Sequence, residues 1–192
     1  MDLNQIKKYW RDSGDKINRY NISQLNNPRL LKSTIDFLVI CGLPDNCAPM
    51  IGFDECKRDA IPTPNEVFKI DFDGLDEYLM IGGNGSGDPI CIDLNLNNEI
   101  VYLNHDNYFE RVFMNSSVHQ LAECIIFYRN FYFSLDPKFE NNVFHKRKFS
   151  DAEFQYLKRR YVEMDNKCLD EGRFWRESLD YLLWERDNEI DS

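Results

Sequence analysis

The spacing of hydrophobic positions changes twice along the chain and divides it into three parts. In the first part, apolar residues between positions 30 and 41 recur at three- and four-residue intervals, which predicts a helix. Asn27 is placed to cap this helix, Pro28 suits its first position, and Gly42 followed by Pro44 ends it. A weaker amphipathic segment precedes it, with the apolar positions Ile6, Tyr9 and Trp10.

In the middle part, apolar and polar positions alternate, which is typical of β-strands. Residues 46–64 come first, show no clear period and are expected to form a loop. Five successive segments after this loop are predicted as strands: 66–72, 77–83, 90–96, 99–104 and 108–114. The connectors between them are short and rich in Gly, Asp and Asn, which favours antiparallel hairpins.

In the last part, the helical spacing returns. Ser117 with Gln120, and Ser150 with Glu153, have the spacing of capping boxes that open two helices, and "FWRESLDYLLWERD" predicts a third. The order of helix, strands and helices predicts an α+β fold with a mainly antiparallel, or mixed, twisted sheet of about five or six strands flanked by helices. We expect a single domain over residues 1–192, with a core over 28–132 and a C-terminal helical extension over 133–192.

The charge is unevenly distributed and bears on the choice of partner. The chain has 23 basic and 33 acidic side chains, and residues 54–99 alone hold 3 basic and 11 acidic ones. Nucleic acid and anionic membranes bind basic surfaces, so neither is expected as the main partner. Four acidic residues surround a predicted turn, and we expect them to bind a basic protein partner: Asp71, Asp73, Asp76 and Glu77. The alternative is that the acidic surface only keeps the protein in solution.

The cysteine spacing and the lengths of the apolar runs bear on the cellular compartment of the protein. None of the six cysteines forms a C-x-x-C pair, which argues against a zinc knuckle or a thioredoxin-type motif. The N-terminal residues lack an apolar stretch of signal-peptide length, and no apolar run approaches the ~20 residues of a membrane span. We therefore expect a reduced, cytoplasmic protein.

The stretch "IGGNGSGDPICIDL" at residues 81–94 contains a glycine loop that invites a chemical interpretation. A dinucleotide-binding loop opens a helix, whereas a predicted strand follows here. A P-loop ends in Gly-Lys-Ser/Thr, whereas Asp88 and Pro89 follow Gly87. A nucleophile elbow has glycines two residues before and after its serine, whereas Ser86 has Asn84 and Asp88 at these positions. We interpret the loop as a structural connector, and a ligand cradle is the alternative.

Other side chains with catalytic or metal-binding chemistry are few. His105 precedes Asp106 after a predicted strand, and a small metal-dependent hydrolase that uses His105 with Asp106 or Asp88 is one hypothesis. His119 lies in the first turn of a capped helix, and His145 lies in the basic stretch "HKRK". The sequence therefore predicts no catalytic residue, no cofactor and no metal site.

Three segments resemble the SUKH superfamily of bacterial immunity proteins, most closely its fourth subfamily. They are "GLPDNCAPMIGFD", "YLMIGGNGSGDPICIDLNLNNEIVYLNHDN" and "FMNSSVHQLAECIIFYRNFY", which fall within residues 30–132, with weaker likeness in "FWRESLDYL". The glycine-aspartate signature of that family matches five positions here: Gly85, Gly87, Asp88, Asp93 and Leu94.

The resemblance implies an α+β sheet fold and a function in binding rather than catalysis. Members neutralise a cognate polymorphic toxin, often a nuclease or a nucleic-acid deaminase. The signature then determines the fold: Gly85 and Gly87 free the backbone, and Asp88 binds loop amides. A general protein-interaction or regulatory module on the same fold is the first alternative, and the small hydrolase is the second.

Overall fold

The computed structural model describes residues 1–47, 49–135 and 149–188, which form one α+β domain, as predicted. The helices are α1 (Leu3–Ser13), α2 (Lys32–Ile40), α3 (Pro64–Phe68), α4 (Val118–Leu135), α5 (Asp151–Met164) and α6 (Phe174–Asp187). The strands are β1 (Ile17–Asn18), β2 (Leu43–Pro44), β3 (Ile51–Phe53), β4 (Tyr78–Asn84), β5 (Pro89–Asp93), β6 (Glu99–Asn104) and β7 (Glu110–Asn115).

The central element is a five-stranded antiparallel sheet in the order β3-β4-β5-β6-β7, in which every strand pairs with its neighbour in the chain. In its middle, Leu79 pairs with Ile92, which pairs with Ile100 on the next strand. These three side chains belong to the main core, whereas Cys91 and Val101, one position along, belong to a second cluster. The alternation places the main core on one face of the sheet and the second cluster on the other. β1 and β2 form a separate two-stranded sheet that the sequence did not predict.

The C-terminal helices are joined to the sheet by a buried polar network. Trp175 of α6 donates a hydrogen bond from Nε1 to Oδ1 of Asn115 at 2.7 Å, and Asn115 Nδ2 donates to Asp165 Oδ2 at 3.2 Å. Asp165 also accepts from the backbone N–H of Ser116 at 2.7 Å. All of these groups but Ser116 are buried, and buried polar groups are tolerated when they are paired in this way. The predicted C-terminal helices are thus part of the fold, and residues 136–148 and 189–192 of the predicted extension lie outside the described residues.

The first predicted helix starts later than expected. α2 begins at Lys32, with Leu31 in an extended conformation before it, whereas Asn27 and Pro28 lie in a turn. The cause is a tertiary contact with the β5–β6 turn. Asn98 Oδ1 accepts the backbone N–H of Leu31 at 2.7 Å, and Asn98 Nδ2 donates to the Arg29 carbonyl at 3.0 Å. These bonds hold the backbone extended where the local pattern favours a helix.

Two predictions between residues 46 and 72 are wrong. The expected strand at 66–72 is instead α3 and a turn, because Thr63 and Glu66 form a capping box with Pro64 in the first turn. The expected loop at 46–64 contains β3, which pairs with β4 through Gly52 and Gly83. Three residues are too few to show a period, so this strand is visible only through its pairing.

The other predicted helix starts and strands are confirmed, apart from shifts of one to three residues at strand ends. The capping box of Ser150 and Glu153 is formed in both directions at the start of α5. At the start of α4, the Gln120 N–H donates to Ser117 Oγ at 3.3 Å. Among the described helices, none combines the length and the apolar character needed to cross a membrane.

Candidate functional site

The glycine loop is a hairpin turn that joins β4 to β5, and three of its amides bond within the loop. Asn84 Oδ1 accepts the N–H groups of Ser86 at 3.0 Å and of Asp88 at 2.9 Å. The Gly87 N–H donates to the Asn84 carbonyl at 3.1 Å. A phosphate cradle needs amides that point at the ligand, and these three amides already bond within the loop. The geometry therefore favours a connector over a ligand cradle.

The two signature glycines differ in how strictly the structure requires glycine. Gly87 has φ +91°, the left-handed region that side chains rarely adopt, as expected. Gly85 does not have a positive φ, so the expected reason does not apply to it. A Cβ at Gly85 would lie 3.0 Å from Cε and 3.3 Å from Cβ of Met50, an exposed turn residue that has room to shift. Substitution should therefore be more costly at Gly87 than at Gly85.

The sequence suggested that Asp88 binds amides of its own loop. The Asp88 side chain instead connects the loop to the residue that follows β6. Its Oδ2 accepts from Asn84 Nδ2 at 2.8 Å, and its Oδ1 accepts from the His105 backbone N–H at 3.0 Å. The same Oδ1 lies 2.7 Å from His105 Nδ1. The buried Asp88 side chain thus links two turns at one end of the sheet, the glycine loop and the turn after β6, and we call this link a pin.

The Asp88 and His105 side chains stabilise each other's charged forms. Burial of Asp88 favours its neutral form, but hydrogen bonds from Asn84 and His105 outweigh it and lower the Asp88 pKa below its ordinary 3.8. The hydrogen bond to Asp88 raises the pKa of His105 above 6.5. His105 Nε2 also lies 3.3 Å from Asp106, whose side chain is 86% exposed. The structure thus brings together the three residues of the hydrolase hypothesis.

Asp93 has a comparable role at the other end of β5. Its Oδ1 accepts the backbone N–H groups of Asn95 at 2.9 Å and of Leu96 at 3.2 Å, which fixes the β5–β6 turn. Its Oδ2 accepts from Arg111 Nε at 2.7 Å, and Arg111 also pairs with Glu99 at 2.5 Å. With 1% of its surface exposed, Asp93 holds a turn together and is not available to a partner.

The four acidic residues proposed to bind a partner differ in their surroundings. Asp71 and Asp73 are exposed in the turn after α3, and neither side chain makes a hydrogen bond or ion pair among the described residues. Asp76 Oδ1 accepts from Asn65 Nδ2 at 3.1 Å, so it also holds the turn. Glu77 is half-buried and pairs with Arg29. Two of the four carboxylates are therefore free to meet a partner.

The remaining sequence candidates do not form a centre with these residues. His119 Nε2 lies 2.7 Å from the Met1 carbonyl, and its ring packs at 5.9 Å on Phe37. His145 lies outside the described residues. Within the ranges that the structure covers, no three His, Cys, Asp or Glu side chains are placed to hold a metal ion, and all six cysteines are free thiols.

The sequence did not single out the exposed aromatic residues beside the acidic turn. Tyr108 and Phe109, in the turn before β7, were interpreted only as part of a strand, yet Tyr108 is 84% exposed. Phe68 and Ile70, next to the turn, are also exposed. The sequence contains one indication of this turn. Two adjacent aromatic residues follow "NHDN", and they interrupt the alternation of apolar and polar positions in β6.

Comparison of the chain with protein-family models, with curated proteins and with solved structures finds no match. The functional interpretation therefore depends on the geometry described above and on the motifs in the sequence.

Proposed function

We propose that this protein is an immunity protein that acts by binding a cognate toxin domain, such as a nuclease or a nucleic-acid deaminase, in the cytoplasm. One observation carries the proposal. From residue 60 to residue 110 the chain has ten carboxylates and a single lysine, Lys69, and Asp71 and Asp73 in this stretch are exposed without partners among the described residues. Proteins that act on nucleic acid carry basic surfaces, so an acidic surface suits them as a binding partner.

The closed glycine loop supports a structural rather than a catalytic role for the signature residues, as expected in a protein that acts by binding. The resemblance to SUKH proteins includes these signature positions, and Gly87, Asp88 and Asp93 all serve to fix turns of the sheet. A signature that determines the fold is what a family of binders shares when its targets differ. A general interaction or regulatory module on this fold remains the first alternative, and it differs from the proposal only in its partner.

A specific contact favours a hydrolase as the second alternative. His105 with Asp88 on Nδ1 resembles the pairing that orients a general base. However, Nε2, the nitrogen that would take a proton, already lies 3.3 Å from Asp106. Asp88 Oδ2 also accepts a hydrogen bond from Asn84, as expected for a residue with a structural role. We therefore rank this alternative below binding.

Co-expression with the product of the adjacent gene tests the proposal. The tagged protein should retain a toxin domain through size-exclusion chromatography as a complex with one copy of each chain, and it should restore growth to cells that express the toxin. A neighbouring product without toxicity that still binds would favour the regulatory module. Hydrolysis of metal-dependent phosphoester substrates that Asp88→Asn abolishes would favour the hydrolase.

A further inference from the structure

The face of the sheet opposite the main core is covered by the segment from α3 to β4. Its buried centre consists of Leu75, Cys91, Val101 and Leu103. Asn65 holds the cover in place, because its Nδ2 donates to the Phe72 carbonyl at 3.2 Å and its Oδ1 accepts the Phe72 N–H at 3.1 Å. Only a small cluster is buried here, so apolar side chains at its edge remain in contact with solvent.

At that edge three aromatic rings are in contact, and exposed apolar residues adjoin them in the sequence. The ring of Phe109 packs on Phe72 at 5.2 Å and on Phe68 at 6.2 Å. Phe68 and Ile70 are each 39% exposed, and Tyr108 is 84% exposed beside Phe109. We call these four residues, Phe68, Ile70, Tyr108 and Phe109, the aromatic ridge. Contiguous exposed apolar groups of this kind mark interaction sites more often than isolated ones do.

The backbone at the ridge is unusual. Tyr108 has φ 51° and Phe109 has φ 56°, so two consecutive bulky residues occupy the left-handed region. Residues with side chains are disfavoured in this region, and the exposed Tyr108 ring gains little compensation from packing within the chain. Asparagine or glycine would suit this turn better, so the aromatic side chain is not explained by the fold.

Carboxylates flank the ridge residues in the sequence. Asp71 and Asp73 lie on either side of Phe72, and Asp106 and Glu110 lie on either side of the Tyr108–Phe109 pair. All four are exposed. Lys69 is the single lysine or arginine from residue 60 to residue 110, so the charge here is almost entirely negative. Aromatic rings beside carboxylates bind arginine and lysine well, through cation–π contacts and ion pairs.

A second exposed aromatic surface, on α6, differs in charge. Tyr181 and Trp184 stack at 5.9 Å and are 59% and 58% exposed. Cations and carboxylates near it pair with each other, as in Arg176 with Asp180 at 2.6 Å and Arg186 with Asp151 at 2.8 Å. α6 has two arginines against four carboxylates, compared with one lysine against ten carboxylates from residue 60 to residue 110, and both arginines are paired. This surface therefore offers less negative charge to a basic partner, and it provides matched controls.

We propose that the aromatic ridge and its four carboxylates form the docking surface for a basic protein partner, with Tyr108 as the central anchor. The inference rests on the proposed function, since the toxin domain is the partner in question. Tyr108 inserts into an apolar pocket of the partner, and Asp71, Asp73, Asp106 and Glu110 meet lysine and arginine side chains around it. Such an arrangement, with an aromatic anchor inside a polar rim, carries most of the binding energy in many interfaces.

Binding of the purified toxin domain of the adjacent gene to four variants tests the surface. Tyr108→Asn removes the ring and suits the positive φ, and it should weaken binding about 30-fold or more. Tyr181→Ala on α6 is its control and should bind as the wild type does. The Asp71→Lys/Asp73→Lys pair should slow association and weaken its salt dependence. Its control, Asp170→Lys/Glu171→Lys, reverses two exposed carboxylates in the turn before α6 and should have a smaller effect.

The outcomes separate the surface from the function. If the wild type fails to bind the toxin, the proposed function and this interface are both overturned. If the wild type binds and Tyr108→Asn binds equally well, the interface alone is overturned. Greater loss in the two control variants than in the two ridge variants would have the same meaning. Thermal melting of each variant shows whether it is folded. If Tyr108→Asn does not fold, the Asp71→Lys/Asp73→Lys variant still tests the interface.

Discussion

Asp88→Ala should destabilise the fold, because it removes the pin between the glycine loop and the end of β6. The carboxylate accepts three hydrogen bonds, from Asn84 Nδ2 at 2.8 Å, from the His105 N–H at 3.0 Å and from His105 Nδ1 at 2.7 Å. Hydrogen bonds to a charged acceptor contribute about 1.5–3 kcal/mol each. The Asn84 and His105 donors can bond to water once the Asp88 carboxylate is removed, so the net loss is smaller than the sum. We therefore expect a total loss of about 2–3 kcal/mol. For a chain of this size, that lowers Tm by about 4–12 °C.

The loss should depend on pH in a defined direction. The pKa of Asp88 is lowered from 3.8, so its contribution is present above pH 3.8 and is lost as pH falls through its folded-state pKa. The pKa of His105 is raised from 6.5, so its contribution is complete below pH 6.5 and is lost as pH rises through its folded-state pKa. The difference in stability between wild type and Asp88→Ala should be largest from pH 3.8 to 6.5 and smaller above that window.

Urea denaturation at several pH values, with an NMR titration of His105, measures both effects. Asp106→Ala is the control, because that carboxylate also lies beside His105 but is 86% exposed, and it should change stability by less than about 0.5 kcal/mol. In Asp88→Ala the pKa of His105 should fall towards 6.5. Equal denaturant midpoints for wild type and Asp88→Ala, or an unchanged His105 titration, would refute the role of Asp88 as a pin.

Three further predictions concern the turns and helix ends. Gly87→Val should lower Tm well below that of Gly85→Val, because only Gly87 has a positive φ; similar melting curves would contradict this. Ser150→Ala should lower the free energy of unfolding by about 0.5–2 kcal/mol in urea titrations, the effect of a lost N-cap. Asn115→Ala should cost about 1–3 kcal/mol by leaving the buried Trp175 N–H unpaired, and an unchanged urea midpoint would show that this network is not required.

The sequence predicted the elements whose signals are local. The four strands from β4 to β7 follow from alternation and short connectors, and α5 follows from a capping box that needs only Ser150 and Glu153. The start of α2 could not be predicted in this way, because Asn98, 67 residues away from Leu31, holds the backbone before the helix. The capping box of Thr63 with Glu66 was a local signal that the apolar alternation of the same residues obscured.

The candidate site was predictable in its chemistry more than in its geometry. Charge distribution alone indicated the acidic segment, but it did not distinguish the exposed Asp71 and Asp73 from Glu77, which pairs with Arg29. That distinction depends on which side chains the folded chain brings near. The exposure of Tyr108 likewise depends on the backbone conformation of a turn, which alternation of apolar positions does not report.

A titration of toxin activity tests most directly the claim that this protein acts by binding. The toxin domain of the adjacent gene is held at a fixed concentration well above the dissociation constant, and its activity is measured as this protein is added. Stoichiometric binding predicts a linear loss of activity that ends at one equivalent. Complete loss at a small fraction of an equivalent would show catalytic inactivation, and full activity at excess protein would show that the toxin is not its target.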